Sequence, residues 1–278
     1  VEALVLGGGT LVGRREWGTR LEKAIEVFEP SRLLTFGVGV EEPQFALSRG
    51  LISEKELDRQ ADLLRSFDRI GVRGPRSLRN LAELGVKSEV LGDPALVLKP
   101  RSGERHPATR PRILLSLAEV GDGYERNADR MRREVAMAAR MLAGAVGGDL
   151  LGLAMEPADV RALRRADSAL PIVHLRRGVE SVIDEISGST LVISERLHPN
   201  IIAAALGTKF VAIGYKPKTY DFAESVHAEE HVIDARSASH RTITAFAEAI
   251  LEKDDADIRS RVRSLGKNFC DVVQAELK

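Results

Sequence analysis

Glu195, Arg196 and His198 crowd into the segment Ser194-Glu195-Arg196-Leu197-His198-Pro199, bringing together an acid, a planar cation and an imidazole. Each type has its own use. A guanidinium holds a phosphate or carboxylate through two parallel hydrogen bonds. An imidazole gives or takes a proton near neutrality. A carboxylate beside them either keeps the imidazole protonated or accepts the proton of an attacking hydroxyl. The flanking sequence says where the three sit. Thr190-Leu191-Val192-Ile193 is a short buried-strand pattern, Pro199 fits the first position of a helix, and Gly207 fits its stop. In an open α/β sheet ligands bind just beyond the carboxyl end of a strand, and a helix start there favours an anion. A lone histidine in such a place is usually a helix cap; with Arg196 beside it, the functional reading takes precedence.

Other residues are candidates on weaker grounds. Arg73 closes the strand pattern Arg69–Val72 ahead of Pro75, so it stands at a strand end in an earlier part of the chain. It is expected to face the same cleft from the opposite side. Gly7-Gly8-Gly9 follows the strand pattern Glu2–Leu6 and reads either as a tight βα turn or as a close backbone approach to a ligand; its spacing is not a dinucleotide fingerprint. Asp93, in Gly92-Asp93-Pro94, reads as a loop cap as readily as a catalytic acid. In Tyr215-Lys216-Pro217-Lys218, Lys216 reads as a surface lysine. His106, His174, His227, His231 and His240 lack ligand spacing and no cysteine cluster joins them, so no metal site is expected. The row Met131, Val135, Ala138, Met141 and Leu142 is a core stripe, and Trp17 a core or helix-start residue.

Strand and helix patterns alternate along the whole chain, which implies parallel sheets with helices on both faces. The sequence Pro43–Ile52 reads as irregular, and Ser53 with Glu56 as a capping box. Lys99–Arg112 is polar, carries several prolines and has almost nothing to bury, so it reads as a linker. After it the pattern restarts with a strand, the loop Gly121-Asp122-Gly123 and a long helix. A helix follows over Glu156–Ala166 with Pro157 at its start. The expected architecture is therefore α/β with two Rossmann-like domains facing a cleft (GT-B-like), residues 1–104 and 105–278, the last helix packing back across both.

Composition sets the outer limits. The 278 residues carry 41 basic and 41 acidic side chains, so no long-range attraction to nucleic acid is expected. A single cysteine, Cys270, suits a reducing compartment, and no apolar run reaches membrane-spanning length. A cytoplasmic protein is expected, with peripheral attachment to a membrane or partner left open and the oligomeric state undetermined.

Four pieces together point to a family. Ile193-Ser194-Glu195-Arg196-Leu197-His198, then Phe210-Val211-Ala212-Ile213-Gly214-Tyr215-Lys216-Pro217-Lys218, with Gly71-Val72-Arg73-Gly74-Pro75-Arg76-Ser77-Leu78 and Gly92-Asp93-Pro94-Ala95-Leu96 upstream, resemble the polysaccharide pyruvyl transferase family. The resemblance runs from about Val5 to Phe222. It implies transfer of the enolpyruvyl group of phosphoenolpyruvate onto two hydroxyls of a saccharide or lipid-linked saccharide, as a ketal, in cell-surface or exopolysaccharide synthesis. No metal and no cofactor are required. His198 then serves as general acid and Glu195 as its orienting or proton-accepting partner. Arg196, Arg73 and Lys218 bind the donor, and Gly7, Gly8, Gly9 and Asp93 are loop and acceptor candidates.

The chain departs from the family pattern in three places. Gly74 stands where an acid usually follows the arginine, and Pro199 where a glycine usually follows the histidine. The family's opening strand and helix with a Gly-Asp motif have no counterpart after Val1, so either a segment precedes this sequence or the protein differs there. Two rival readings follow: a glycosyltransferase of the same two-domain shape with a nucleotide-sugar donor, and a non-catalytic glycan-binding or assembly member.

Overall fold

The computed structural model describes residues 1–100, 108–119 and 127–277. Half of the linker expectation (residues 101–107, with His106) and the Gly121-Asp122-Gly123 loop lie outside the described residues. The chain forms two compact units, one comprising Val1–Val97, Tyr220–His227 and Arg263–Lys278, the other Leu98–Thr219 and Ala228–Val262. Compared with the division at residue 104 expected from the sequence, two late segments belong to the first unit. For 263–278 the reason is apolar, Phe269, Val272 and Val273 packing against Leu34, Phe36 and Leu91, and for 220–227 it is polar, Asp221 and Glu224 meeting the start of the helix after Gly74.

The first unit is built on β1 (Ala3–Gly7), β2 (Thr10–Val12), β3 (Arg32–Val40), β4 (Arg69–Val72) and β5 (Glu89–Val90), in the order β1-β3-β4-β5 with β2 also on β3. Helices α1 (Arg15–Phe28), α2 (Pro43–Ser48), α3 (Glu54–Leu64) and α4 (Pro75–Glu83) make the crossovers. Strand β3 is central and buried from Leu34 to Val40. The glycine run corrects the turn expectation. Gly7 pairs with Phe36 and Thr10 with Gly39, both in parallel, so β1 and β2 are two stretches of one edge interrupted at Gly8 and Gly9. Those two residues have φ of +69° and +65°, which only glycine adopts without strain. Residues read as irregular after Pro43 form the short helix α2, with the proline at its start. Ser53 and Glu56 form the capping box that opens α3.

The second unit carries β6 (Arg112–Ser116), β7 (Asp149–Ala154), β8 (Ile172–His174), β9 (Leu191–Ser194), β10 (Lys209–Gly214) and β11 (Val232–Asp234). Their order is β11-β10-β9-β6-β7-β8, all parallel. The connections run outward from β6 in one direction and from β9 in the other, so the order reverses between these two strands. The remaining α-helices are α5 (Ala128–Ala145), α6 (Asp159–Ala166), α7 (Val179–Gly188), α8 (Leu197–Leu206), α9 (Pro217–Ser225), α10 (His240–Glu252) and α11 (Ala256–Glu276), most of α9 and α11 belonging to the first unit. Leu115, Ile193, Val211 and Ile213 pack with Val135, Ala139, Leu142 and Ile243 in one apolar cluster. Strands covered on both faces read as continuous apolar runs, as these do.

Two expectations shift here. Met131 is buried, but Met141 is 46% exposed, because the stripe lies at the margin of the helix face that packs. Helix α6 begins at Asp159 rather than beside Pro157.

Candidate active site

The reversal between β6 and β9 is where a doubly wound sheet opens a crevice at its carboxyl end. Ser116 and Ser194 are register partners there, and the next residue, Glu195, donates its backbone N–H to Ser116 O at 2.9 Å. Arg196 is the N-cap residue of α8 and Leu197 its first residue. Pro199 is therefore the third helical position, not the first. It still removes an N–H that no carbonyl of the helix could have accepted. The turn is pinned by two side chains that sequence reasoning did not single out. Ser194 Oγ donates to Arg196 O at 2.7 Å, and Asn200 Nδ2 donates to Arg196 O at 3.1 Å and to Ser194 O at 3.3 Å.

The three candidate residues of this turn have different surroundings. His198 is exposed. Glu195 is 1% exposed and accepts from Arg132 Nε at 3.0 Å and from Ala118 N–H at 2.8 Å. Burial pushes its carboxyl above the usual range, against the pull of Arg132 and the Ala118 N–H. This corrects the expectation that Glu195 orients His198 or meets a sugar hydroxyl: the carboxylate points into the unit and ties the strand end to α5. Arg196 uses its fork on Asp159, Nε lying 3.0 Å from Oδ2 and Nη2 2.5 Å from Oδ1, while Nη1 meets Glu156 at 3.0 Å. Burial opposes its charge, and the Asp159 and Glu156 contacts more than compensate, holding the guanidinium protonated. Asp159 is itself fixed, accepting the N–H of Glu119 and of Glu156, both at 3.0 Å. The salt bridge to a nearby acid thus exists, and it still leaves part of a five-donor guanidinium uncommitted. Lys218 sits half-buried in the first turn of α9. Lys216 is buried at 6% exposure rather than on the surface, with Nζ 5.4 Å from the ring centre of Tyr215.

In the first unit the structure brings Arg73 next to Thr10, and so to the end of the glycine run. The arginine is 1% exposed, with Nη2 donating to Thr10 Oγ1 at 3.1 Å. Its Nε makes no hydrogen bond among the described residues and lies 3.5 Å from Asp221 Oδ2. Such a thinly partnered buried guanidinium is uncommon. Gly39 makes room for it, since a Cβ there would lie 2.3 Å from Nη2. Asp93 is buried and its Oδ1 accepts the N–H of Ala95 at 2.9 Å, a loop cap, while Oδ2 has no hydrogen-bond partner among the described residues.

Asp159, Arg132, Asn200 and Asp221 escaped the sequence reading. Each is remote in sequence from the residue it serves or of a type that gives no signal alone. The histidines without ligand spacing have ordinary duties. His231 is buried between Phe210 O, 2.9 Å from Nδ1, and Asp255 Oδ1, 3.3 Å from Nε2. His240 Nδ1 lies 2.6 Å from Glu134 Oε2. That pair stands in a cavity of about 710 Å³ between the first turns of α5 and the start of α10, also lined by Arg130, Arg236 and Ser239. Among the described residues no group of three or more His, Cys, Asp or Glu side chains is disposed to hold a metal ion.

The family model for polysaccharide pyruvyl transferases matches residues 2–217, most of the chain. The chain belongs to the polysaccharide pyruvyl transferase family. The Arg-Leu-His turn, Arg73 and Lys209–Gly214 with the first residues after it all fall inside the matched region. No curated protein matches the chain at a significant level. Solved structures similar to this family member in fold include the UDP-GlcNAc 2-epimerase of Methanocaldococcus jannaschii in complex with UDP-GlcNAc and UDP. Its TM-score is 0.59 at 10% identity, over 89% of this chain and 79% of that one. The UDP-GlcNAc 2-epimerase of Neisseria meningitidis bound to UDP-GlcNAc gives 0.59 at 14% identity, over 94% and 80%. The trehalose 6-phosphate synthase of Burkholderia multivorans gives 0.55 at 14% identity, over 99% and 69%. At such identities the likeness is one of fold, the GT-B-like pair of parallel α/β sheets.

Proposed function

We propose that this protein transfers the enolpyruvyl group of phosphoenolpyruvate to two hydroxyls of a saccharide, free or lipid-linked, forming a ketal and releasing phosphate. The supporting observation is the Arg196-Leu197-His198 turn at the strand-order reversal, with the imidazole exposed and the guanidinium fixed by Asp159. The donor carries a phosphate and a carboxylate and asks for cations at both. Arg196 takes one anionic group with its remaining N–H donors, displacing the exposed Glu156, whose pairing is a weak surface contact. Lys218, in the same unit as Arg196, is the next cation for the donor, and Arg73 of the first unit is read as a donor-binding residue on the family resemblance alone. His198 gives a proton to carbon 3 of the enol, and the oxocarbenium-like carbon 2 is attacked by one hydroxyl, whose proton passes to the now neutral His198. The bond from carbon 2 to the phosphate oxygen then breaks, phosphate leaves with the bonding electrons, and the second hydroxyl closes the ketal as its proton passes to the departing phosphate. Pro199 leaves the N–H groups of Leu197 and His198 as the first helical donors at this end.

Similarity of fold to enzymes whose structures hold UDP-GlcNAc favours a second reading, a glycosyl transfer from a nucleotide-sugar donor. Thermal unfolding separates the two. Phosphoenolpyruvate at millimolar concentration raises the Tm and UDP-GlcNAc does not, if the first reading holds; the reverse result supports the second, and no response to either contradicts both. No helix among the described residues is long and apolar enough to cross a membrane. As part of the same proposal, the protein works in the cytoplasm and meets a lipid-linked acceptor at a membrane surface.

A further inference from the structure

Gly74, the N-cap residue of α4, has no side chain with which to cap the helix that follows it. Helix α4 starts at Pro75, so its second and third residues are Arg76 and Ser77. An N-cap aspartate would accept the N–H groups of those two positions. Gly74 has no side chain to do so, and Asp221 does it instead. Its Oδ1 accepts from Arg76 N at 2.9 Å and Ser77 N at 3.1 Å, while Oδ2 accepts from Ser77 Oγ at 2.7 Å. The space is taken as well as the bonds: a Cβ at residue 74 would lie 2.4 Å from both the backbone oxygen and Oδ1 of Asp221. Gly74 has φ −152°, open to any residue, so it is this close approach and not backbone strain that requires glycine. The same carboxylate is the counter-charge of Arg73, with Oδ2 3.5 Å from Nε.

We infer that Asp221 is a positioning residue for Arg73, a helix cap and counter-ion supplied from a distant segment of the chain. Three donors fix the carboxylate, so the charge that Arg73 faces cannot drift. At 3.5 Å the pair attracts without a hydrogen bond, which leaves Nε uncommitted. The arginine is thereby held in place yet kept available for an anion. The functional side of this inference rests on the reading of Arg73 as a donor-binding residue; the positional side does not.

Asp221→Asn separates the roles. The amide oxygen still serves the two N–H groups of α4, while the charge beside Arg73 is gone and an amide N–H₂ faces it. Calorimetric titration with phosphoenolpyruvate is expected to show Kd weaker by about tenfold or more, with the Tm lowered by only a few degrees. The crystal structure of the variant is expected to show the Arg73 guanidinium moved away from Thr10. An unchanged guanidinium, with Kd within about twofold of the parent, would overturn the inference and leave Asp221 a helix cap only. If the parent itself does not bind phosphoenolpyruvate, the proposed function falls, and the position of Arg73 in the variant alone decides the inference. Should Asp221→Asn not fold, Asp221→Glu keeps the charge but moves it by one methylene, and the same two readouts apply.

Discussion

Asp159 grips Arg196 by its fork, so replacing the arginine has two consequences. Arg196→Ala is expected to strip donor binding, and it also leaves a fully buried carboxylate with only two backbone N–H partners. Breaking a buried pair from one side costs about 3 kcal/mol. The variant is therefore expected to melt several degrees lower, and a Tm equal to the parent's would show that the pair carries no stability. Arg196→Lys keeps the charge but loses the planar fork. It is expected to retain most of the Tm while the shift induced by phosphoenolpyruvate shrinks; an undiminished shift would remove Arg196 from the donor site. His198, exposed at the start of α8, is expected to behave differently. His198→Gln should lower kcat far more than it weakens donor affinity, and equal losses would make it a binding residue. At this scale the reactive types were legible: Arg196 and His198 carry their chemistry in their identity. Their supports were not, because Asp159 lies 37 residues before Arg196 and Arg132 lies 63 residues before Glu195. Glu195 shows the limit most clearly, since nothing in its sequence neighbours tells that its carboxylate turns inward to Arg132.

Elements supply the next level of argument. Helix α4 is started by a carboxylate from α9, and the empty side of Gly74 is filled by that residue. Gly74→Ala forces a methyl group onto a backbone oxygen, and overpacking of this kind costs about 1–3 kcal/mol. A denaturation midpoint unchanged in Gly74→Ala would mean that α9 yields easily. A pH effect belongs to the end of the second sheet. Burial lowers the pKa of His231 below its ordinary 6.5, outweighing the attraction of Asp255. In the folded protein the imidazole stays neutral as pH falls through 6.5, while the unfolded chain takes up the proton. Stability is therefore full above that value and declines on acidification until the folded pKa is reached. The denaturation midpoint is expected to fall between about pH 7.5 and 5.5 more steeply in the parent than in His231→Gln. Parallel slopes would contradict this. The elements themselves were largely readable, because strand runs such as Leu191–Ser194 and capped helices such as α3 declare themselves locally. The glycine run was not: a bulge within one edge and a βα turn look alike until a partner strand is known.

For the whole molecule, two parallel sheets follow from alternating patterns, and membership of the pyruvyl transferase family agrees with them. The assignment of 220–227 and 263–278 to the first unit was beyond the sequence, since it depends on which helix start Asp221 caps and which apolar face Phe269 and Val272 find. Chemistry at this scale is a transfer, and the direct measurement follows both products. The protein is incubated with phosphoenolpyruvate and a panel of free and lipid-linked saccharides. Released phosphate is assayed, and the acceptor is examined by mass spectrometry for the mass of a pyruvyl ketal. We expect phosphate release that depends on one acceptor class, equal in amount to the ketal formed, and lost in Arg196→Lys and His198→Gln. Phosphoenolpyruvate left intact with every acceptor, alongside consumption of a nucleotide-sugar donor, would contradict the account.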